Sequence, residues 1–211
     1  MQNLTNIYQQ TDGSIQIKLP SSENYVEIKK DGTIVVHGDA TCWDDLANGL
    51  INKKLYSTAG KIDYDFDENS IKFQPGGDIT NKNDRVAWNE QKLHRIKATS
   101  KLQFHIHLEQ TSTDKIIFTL KYRIQENGKA KNTTWTTITC NTEDDGLYTY
   151  SSGTLNQIIV FPEIDISSTG LSDLIQCQLA RTDSTSSDVY VTFVDAHVEI
   201  DTFGSYTQWS K

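Results

Sequence analysis

Residues Lys101–Arg123, KLQFHIHLEQTSTDKIIFTLKYR, restrict what this chain can become more than any other stretch. Leu102, Phe104, Ile106 and Leu108 alternate with Gln103, His105, His107 and Glu109, the period-two pattern of a strand with one face in a core. Ile116, Phe118, Leu120 and Tyr122 then alternate with Ile117, Thr119, Lys121 and Arg123. Thr111-Ser112-Thr113-Asp114 between them has turn-forming composition, so the pattern predicts a hairpin. A strand pair with one apolar face requires a second layer to cover it.

The rest of the chain supplies strands for such a layer. Short alternating or apolar segments recur at Ile62–Phe66, Ile71–Gln74, Leu93–Ala98, Trp135–Thr139, Leu147–Tyr150, Asn156–Phe161, Leu174–Ala180 and Val189–Ile200. Turn signals such as Pro75-Gly76-Gly77 and Asp144-Asp145-Gly146 punctuate them. The polar, Asn-rich stretch 79–89 reads as a loop. Many short strands with almost no helix predict an all-β fold, an antiparallel β-sandwich of jelly-roll type. One short helix is expected in Gly38–Leu50, capped by Asp39 or Thr41, with Asp44 and Asp45 in its first turn and Trp43 packed on a sheet.

Residues 1–38 differ in character from the remainder of the chain. Ser14–Leu19, Tyr25–Ile28 and Thr33–Val36 read as strands separated by Pro20-Ser21-Ser22 and Lys30-Asp31-Gly32. Three such strands bury too little to stand alone. Either they pack on the main domain, or the same segments of several chains join in a shared shaft or anchor. The division expected is an N-terminal anchor or assembly segment, 1–38, and a sandwich domain, 39–211.

Composition removes several function classes. A net charge of −8 with scattered Lys and Arg speaks against nucleic acid and anionic membranes as partners. No run of about 18 apolar residues offers a membrane span. The opening MQNLTNIYQQTDG lacks a basic and then apolar segment, which speaks against Sec-type export. Cys42, Cys140 and Cys177 show no CxxC spacing and are expected as reduced, packed thiols.

Catalytic motifs are absent: no G-x-S-x-G elbow, no Gly-rich phosphate loop, no informative carboxylate pair. The Asp63, Asp65, Asp67 series fails as a calcium loop, because Glu68 and Gln74 stand where Gly and Glu are needed. His105 and His107 share a strand face, and so do His197 and Glu199. On neighbouring strands these four would form either a hydrogen-bonded polar layer or a metal site of the cupin-like zinc or iron kind. The first reading assigns no cofactor. Trp135, Tyr148, Tyr150 and Trp209 can stack on sugar rings and serve equally as interface anchors.

Three segments together carry a family likeness: ATCWDDL at Ala40–Leu46, FHIHL at Phe104–Leu108, and DAHVEIDTFGSYTQWSK at Asp195–Lys211. Their order and spacing resemble a group of tailed-bacteriophage structural proteins. The 79–89 stretch departs from that group, whose members often carry a Pro-His-containing run there. The resemblance implies a non-enzymatic virion component, a homotrimeric head fibre, capsid decoration or tail-fibre protein anchored through residues 1–38. Its partners would be itself, capsid or tail proteins and a host-surface glycan, with no nucleic acid and no membrane insertion. The competing expectations are a carbohydrate-binding module built on Trp135, Tyr148 and Tyr150, and a cupin-like metalloprotein.

Overall fold

A computed structural model of the chain describes residues 6–18, 20–38, 42–46, 48–49, 54–55, 60–67, 69–92, 95–110, 112–140, 157–170, 172–185 and 187–201. Four short strands come first: β1 (Asn6–Gln9), β2 (Ile15–Lys18), β3 (Tyr25–Ile28) and β4 (Ile34–His37). They form an antiparallel meander that is a sheet of its own, in the order β1-β2-β3-β4. Two of its turns are built alike on Asp-Gly. Asp12 Oδ1 accepts from Ser14 N and Asp31 Oδ1 from Thr33 N, while Gly13 and Gly32 take φ of 90° and 86°. That left-handed conformation suits glycine, and the carboxylate bonds hold each turn closed.

The main body comprises β5 (Cys42–Asp45), β6 (Asn48–Gly49), β7 (Lys54–Leu55), β8 (Ile62–Asp65), β9 (Ser70–Phe73), β10 (Val86–Gln91) and β11 (Lys101–Gln110). It continues through β12 (Phe118–Gln125), β13 (Thr136–Thr139), β14 (Gln157–Val160), β15 (Ile164–Asp165), β16 (Leu174–Arg181) and β17 (Val189–Ile200). One sheet runs β14-β11-β17-β9-β8, with β15 added to β11 and β5 and β6 added to β17. The other runs β13-β12-β16-β10-β7. Every strand pairing is antiparallel, and the two sheets pack as a sandwich, as the alternation predicts. Phe104, Ile106 and Leu108 of one sheet and Phe118, Leu120 and Leu179 of the other are among the fully buried residues. Edge-on ring contacts join the layers, Phe73 to Phe118 at 5.2 Å and Trp88 to Phe104 at 5.9 Å.

Four sequence expectations fail here, the first being the strand at Leu93–Ala98, whose described part is a turn with a single bridge from Ile96 to Ile200. Lys101–Arg123 is not a hairpin: β11 pairs with β17 and β14, whereas β12 lies in the opposite sheet between β13 and β16. The connection crosses the sandwich, so the two apolar faces meet each other rather than lying side by side. Gln110 braces the crossing by donating to the carbonyls of Ser112 and Asp114, and buried Ile116 enters the core. The helix expected in Gly38–Leu50 is absent from its described part, where Cys42–Asp45 pairs with Glu199 and its neighbours on β17. Leu46 N donates to Ala196 O at 2.8 Å. Local capping signals, worth about 1 kcal/mol, lose to an open strand edge offering a full ladder. The supposed loop 79–89 holds a short 3-10 turn, Lys82–Asp84, and then β10, whose Val86 and Trp88 are core residues.

A buried polar cluster ties the layers together. The Arg181 side chain has Nε 2.8 Å from Asp183 Oδ2 and Nη2 2.8 Å from Asp183 Oδ1. Arg181 Nη1 donates to Phe73 O of the opposite sheet at 3.1 Å, and Asp183 Oδ2 accepts from Ile117 N of the crossing at 2.9 Å. Gly77 lets the 75–77 turn approach, since a Cβ there would stand 2.6 Å from Arg181 O.

Cys140 and Cys177 are buried free thiols. Burial pushes the Cys140 thiol up to about 11, although Phe118 N donates to its sulfur. Both cysteines are therefore expected to resist iodoacetamide in the folded protein and to react once urea unfolds it. Peptide mass mapping reads the outcome, and native-state labelling of either would contradict this placement. The Cys42 side chain lies outside the described residues.

Candidate functional site

Two features stand out, one on each sheet system. The first comes from the register of the N-terminal meander. Ile7 pairs with Ile17, Ile17 with Val26, and Val26 with Val36. Two residues along, Gln9 pairs with Ile15, Ile15 with Ile28, and Ile28 with Ile34. Directly paired residues project from the same side of a sheet, as do residues two apart. One face of this sheet is thus aliphatic from edge to edge, broken only by Gln9. None of its seven aliphatic side chains is buried: Ile7 is 72% exposed, Ile15 38% and Ile34 37%, and the others are half-buried.

The opposite face is polar and internally partnered apart from buried Val35, which pairs with Glu27. Tyr25 stacks on His37 with ring centroids 4.2 Å apart, His37 Nε2 lies 2.9 Å from Glu27 Oε2, and Lys18 Nζ sits 5.5 Å from the Tyr25 ring. One backbone bond, from Val36 N to Asp201 O at 2.7 Å, links the meander to the residue after β17.

The second feature is a histidine cluster on the face of β11 and β17 that points away from the sandwich core. His105 pairs directly with Asp195, Gln103 with His197, and His107 with Phe193. Asp195 therefore faces His105 and lies diagonal to His107, while His197 lies diagonal to His105. His105 Nδ1 stands 3.9 Å from Asp195 Oδ1, and His107 Nε2 stands 3.4 Å from the same oxygen. The His105 and His197 rings meet edge-on with centroids 3.9 Å apart. A one-residue bulge at Thr192 sets this alignment; its hydroxyl donates to His107 O at 3.3 Å.

His105 and Asp195 are buried, and His107 and His197 half-buried. Burial works to raise the Asp195 carboxyl. The hydrogen bond and charge of His107, with the charges of His105 and His197, outweigh it and hold that carboxyl below the ordinary carboxylate value.

Of the four residues proposed from sequence, three converge and one does not. Glu199 is drawn instead to Lys97, Nζ to Oε2 2.9 Å. The missing carboxylate is Asp195, two residues before His197 on the same face. The Asp-x-His spacing in DAHVE signals it, but choosing it over Glu199 requires the register against β11. Trp135 lies beside Arg123, whose guanidinium covers the ring at 4.4 Å, so a sugar could stack on its other face only. Tyr148, Tyr150 and Trp209 lie outside the described residues.

Fold and site together define an antiparallel β-sandwich protein with an appended four-stranded sheet. No family model matches the chain, and no curated protein does. Among solved structures it is similar to dimeric latent PorU from Porphyromonas gingivalis, with 9% identity and a TM-score of 0.33, covering 76% of this chain and 13% of that one. It is also similar to a structure of the infectious bursal disease virus Gt strain, with 11% identity and a TM-score of 0.40, covering 90% of this chain and 43% of that one. At these scores neither likeness bears on what the chain does. Among the described residues, no helix is long and apolar enough to cross a membrane.

Proposed function

We propose that this protein is a non-enzymatic structural component that assembles as a homotrimer through residues 1–38, with the sandwich projecting from the assembly. The observation that carries the reading is the open aliphatic face of the β1–β4 sheet. A sheet whose apolar face has no second layer among the described residues is incomplete, and cyclic symmetry supplies that layer from identical chains.

The width of the sheet favours three copies. Strands about 4.8 Å apart make a four-stranded sheet about 19 Å wide. Three such sheets set edge to edge around an axis would each stand about 5.5 Å from it, close to half the ~10 Å separation at which sheets pack. Their side chains would then fill the centre without a channel.

The likeness of the 40–46, 104–108 and 195–211 segments to tailed-bacteriophage structural proteins supports placing the assembly on a virion, as a head-fibre, decoration or tail-fibre protein. Capsid or tail proteins would then be its docking partners, and a host-surface glycan the target of its outer loops.

Light scattering on the full chain and on a chain starting at Asp39 tests the assembly. The expected masses are a trimer for the first and a monomer for the second. A monomeric, well-folded full chain would overturn the reading.

A further inference from the structure

We propose that His105, Asp195 and His197 form a binding site for a divalent transition metal of the zinc class. The site is independent of the assembly reading, since none of its residues belongs to the β1–β4 sheet.

Three observations carry it. The first is convergence: the candidate ligand atoms of these residues all lie within 4.8 Å of one another. Zinc–ligand bonds of about 2.0–2.2 Å in tetrahedral geometry place ligand atoms about 3.3–3.6 Å apart. His105 Nδ1 and Asp195 Oδ1, at 3.9 Å, are already near that separation. Small side-chain rotations on a rigid strand pair would close the rest.

The second observation is the donor set. Two imidazoles and one carboxylate suit zinc, iron, nickel or copper, whereas calcium and magnesium select oxygen donors. The third is the setting. His105 and Asp195 are buried in the middle of the sheet's two longest strands, so the ligands start from a preformed scaffold. His107 Nε2, 3.4 Å from Asp195 Oδ1, is placed to orient the carboxylate, the outer role usual for a partner of a metal ligand. With three protein ligands, a fourth position remains for water or a further donor.

A metal-free alternative, a hydrogen-bonded polar layer, uses the same residues and gives opposite results. The full chain, stripped with a chelator, is titrated with Zn²⁺ by calorimetry and with Co²⁺ by visible absorption. The expected result is one metal per chain, and a melting temperature raised by about 5–10 °C at a hundredfold excess over Kd. Co²⁺ should give the strong visible bands of low coordination. Asp195→Asn and His197→Gln should each weaken binding at least tenfold, His107→Gln by about 10- to 100-fold. Glu199→Gln and His37→Gln should leave it unchanged.

Should the ligand variants fail to fold, diethylpyrocarbonate labelling of the unaltered chain gives the answer. Zn²⁺ should protect half-buried His197 and leave His37 reactive. Absence of saturable binding, binding unchanged in Asp195→Asn, or no protection of His197 would each overturn the site.

Discussion

Asp183→Ala is expected to destabilise the protein by about 3–5 kcal/mol, the cost of leaving a buried charge without its partner. Arg181 is 1% exposed, and Asp183 meets its guanidinium with both carboxylate oxygens. The same carboxylate accepts from Ile117 N and from Thr185, so its loss also orphans a backbone donor in the β11–β12 crossing. In a domain of this size the expected fall in melting temperature is about 6–20 °C. Asp188→Ala is the control, because its ion pair with Lys72 is about one-third exposed and such pairs contribute about 0–1 kcal/mol. Equal losses in the two variants, measured by urea denaturation, would refute the assignment.

Acid should expose the same cluster. Burial works to raise the Asp183 carboxyl, but the Arg181 hydrogen bonds, Ile117 N and Thr185 hold it below its ordinary value of 3.8. The unfolded chain therefore binds the proton more readily than the folded one. The stabilisation is complete above the unfolded value and is lost as pH falls through the folded one. The stability gap between the unaltered protein and Asp183→Asn should narrow as pH falls below about 5. A gap that stays constant would show that the carboxylate charge is not what matters there.

The second large effect concerns the open sheet. Val26→Lys or Ile17→Lys places a charge in the middle of the aliphatic face, where Ile17 and Val26 are directly paired on β2 and β3. Each removes about 1.5–3 kcal/mol of burial per protomer from any assembly that covers this face. Summed over three protomers, that weakens the trimer by roughly 10³- to 10⁶-fold. Gln16→Lys, on the opposite face of the same strand, should leave the mass in solution unchanged. Sedimentation that finds both kinds of variant equally trimeric would move the interface into the sandwich, leaving the meander free for another partner.

Much of this architecture is written locally. Tyr25–Ile28 is a strand with the boundaries its alternation predicts, because a period of two commits side chains to opposite faces whatever the partner, and Val189–Ile200 keeps its expected bounds despite the bulge at Thr192. Lys30-Asp31-Gly32 is a turn because Gly accepts a positive φ and Asp bonds back to the chain. β1 escapes notice because Asn6–Gln9 contains only two apolar residues, too few to mark a period. β10 is masked by the Asn- and Asp-rich turn that precedes it, although Val86-Ala87-Trp88 alternates.

The candidate site was legible by halves. The sequence alone determined that His105 and His107 share a face, and that Asp195, His197 and Glu199 share another. Only the tertiary structure decided that these are the same face, that β11 pairs with β17 and not with β12, and that Asp195 rather than Glu199 stands opposite His105. The physical reason is the range of the forces involved. Side-chain alternation and turn chemistry act over a few residues. Strand partners and register are chosen by burial across the whole core, and a single extra residue at Thr192 is enough to reset which side chains meet.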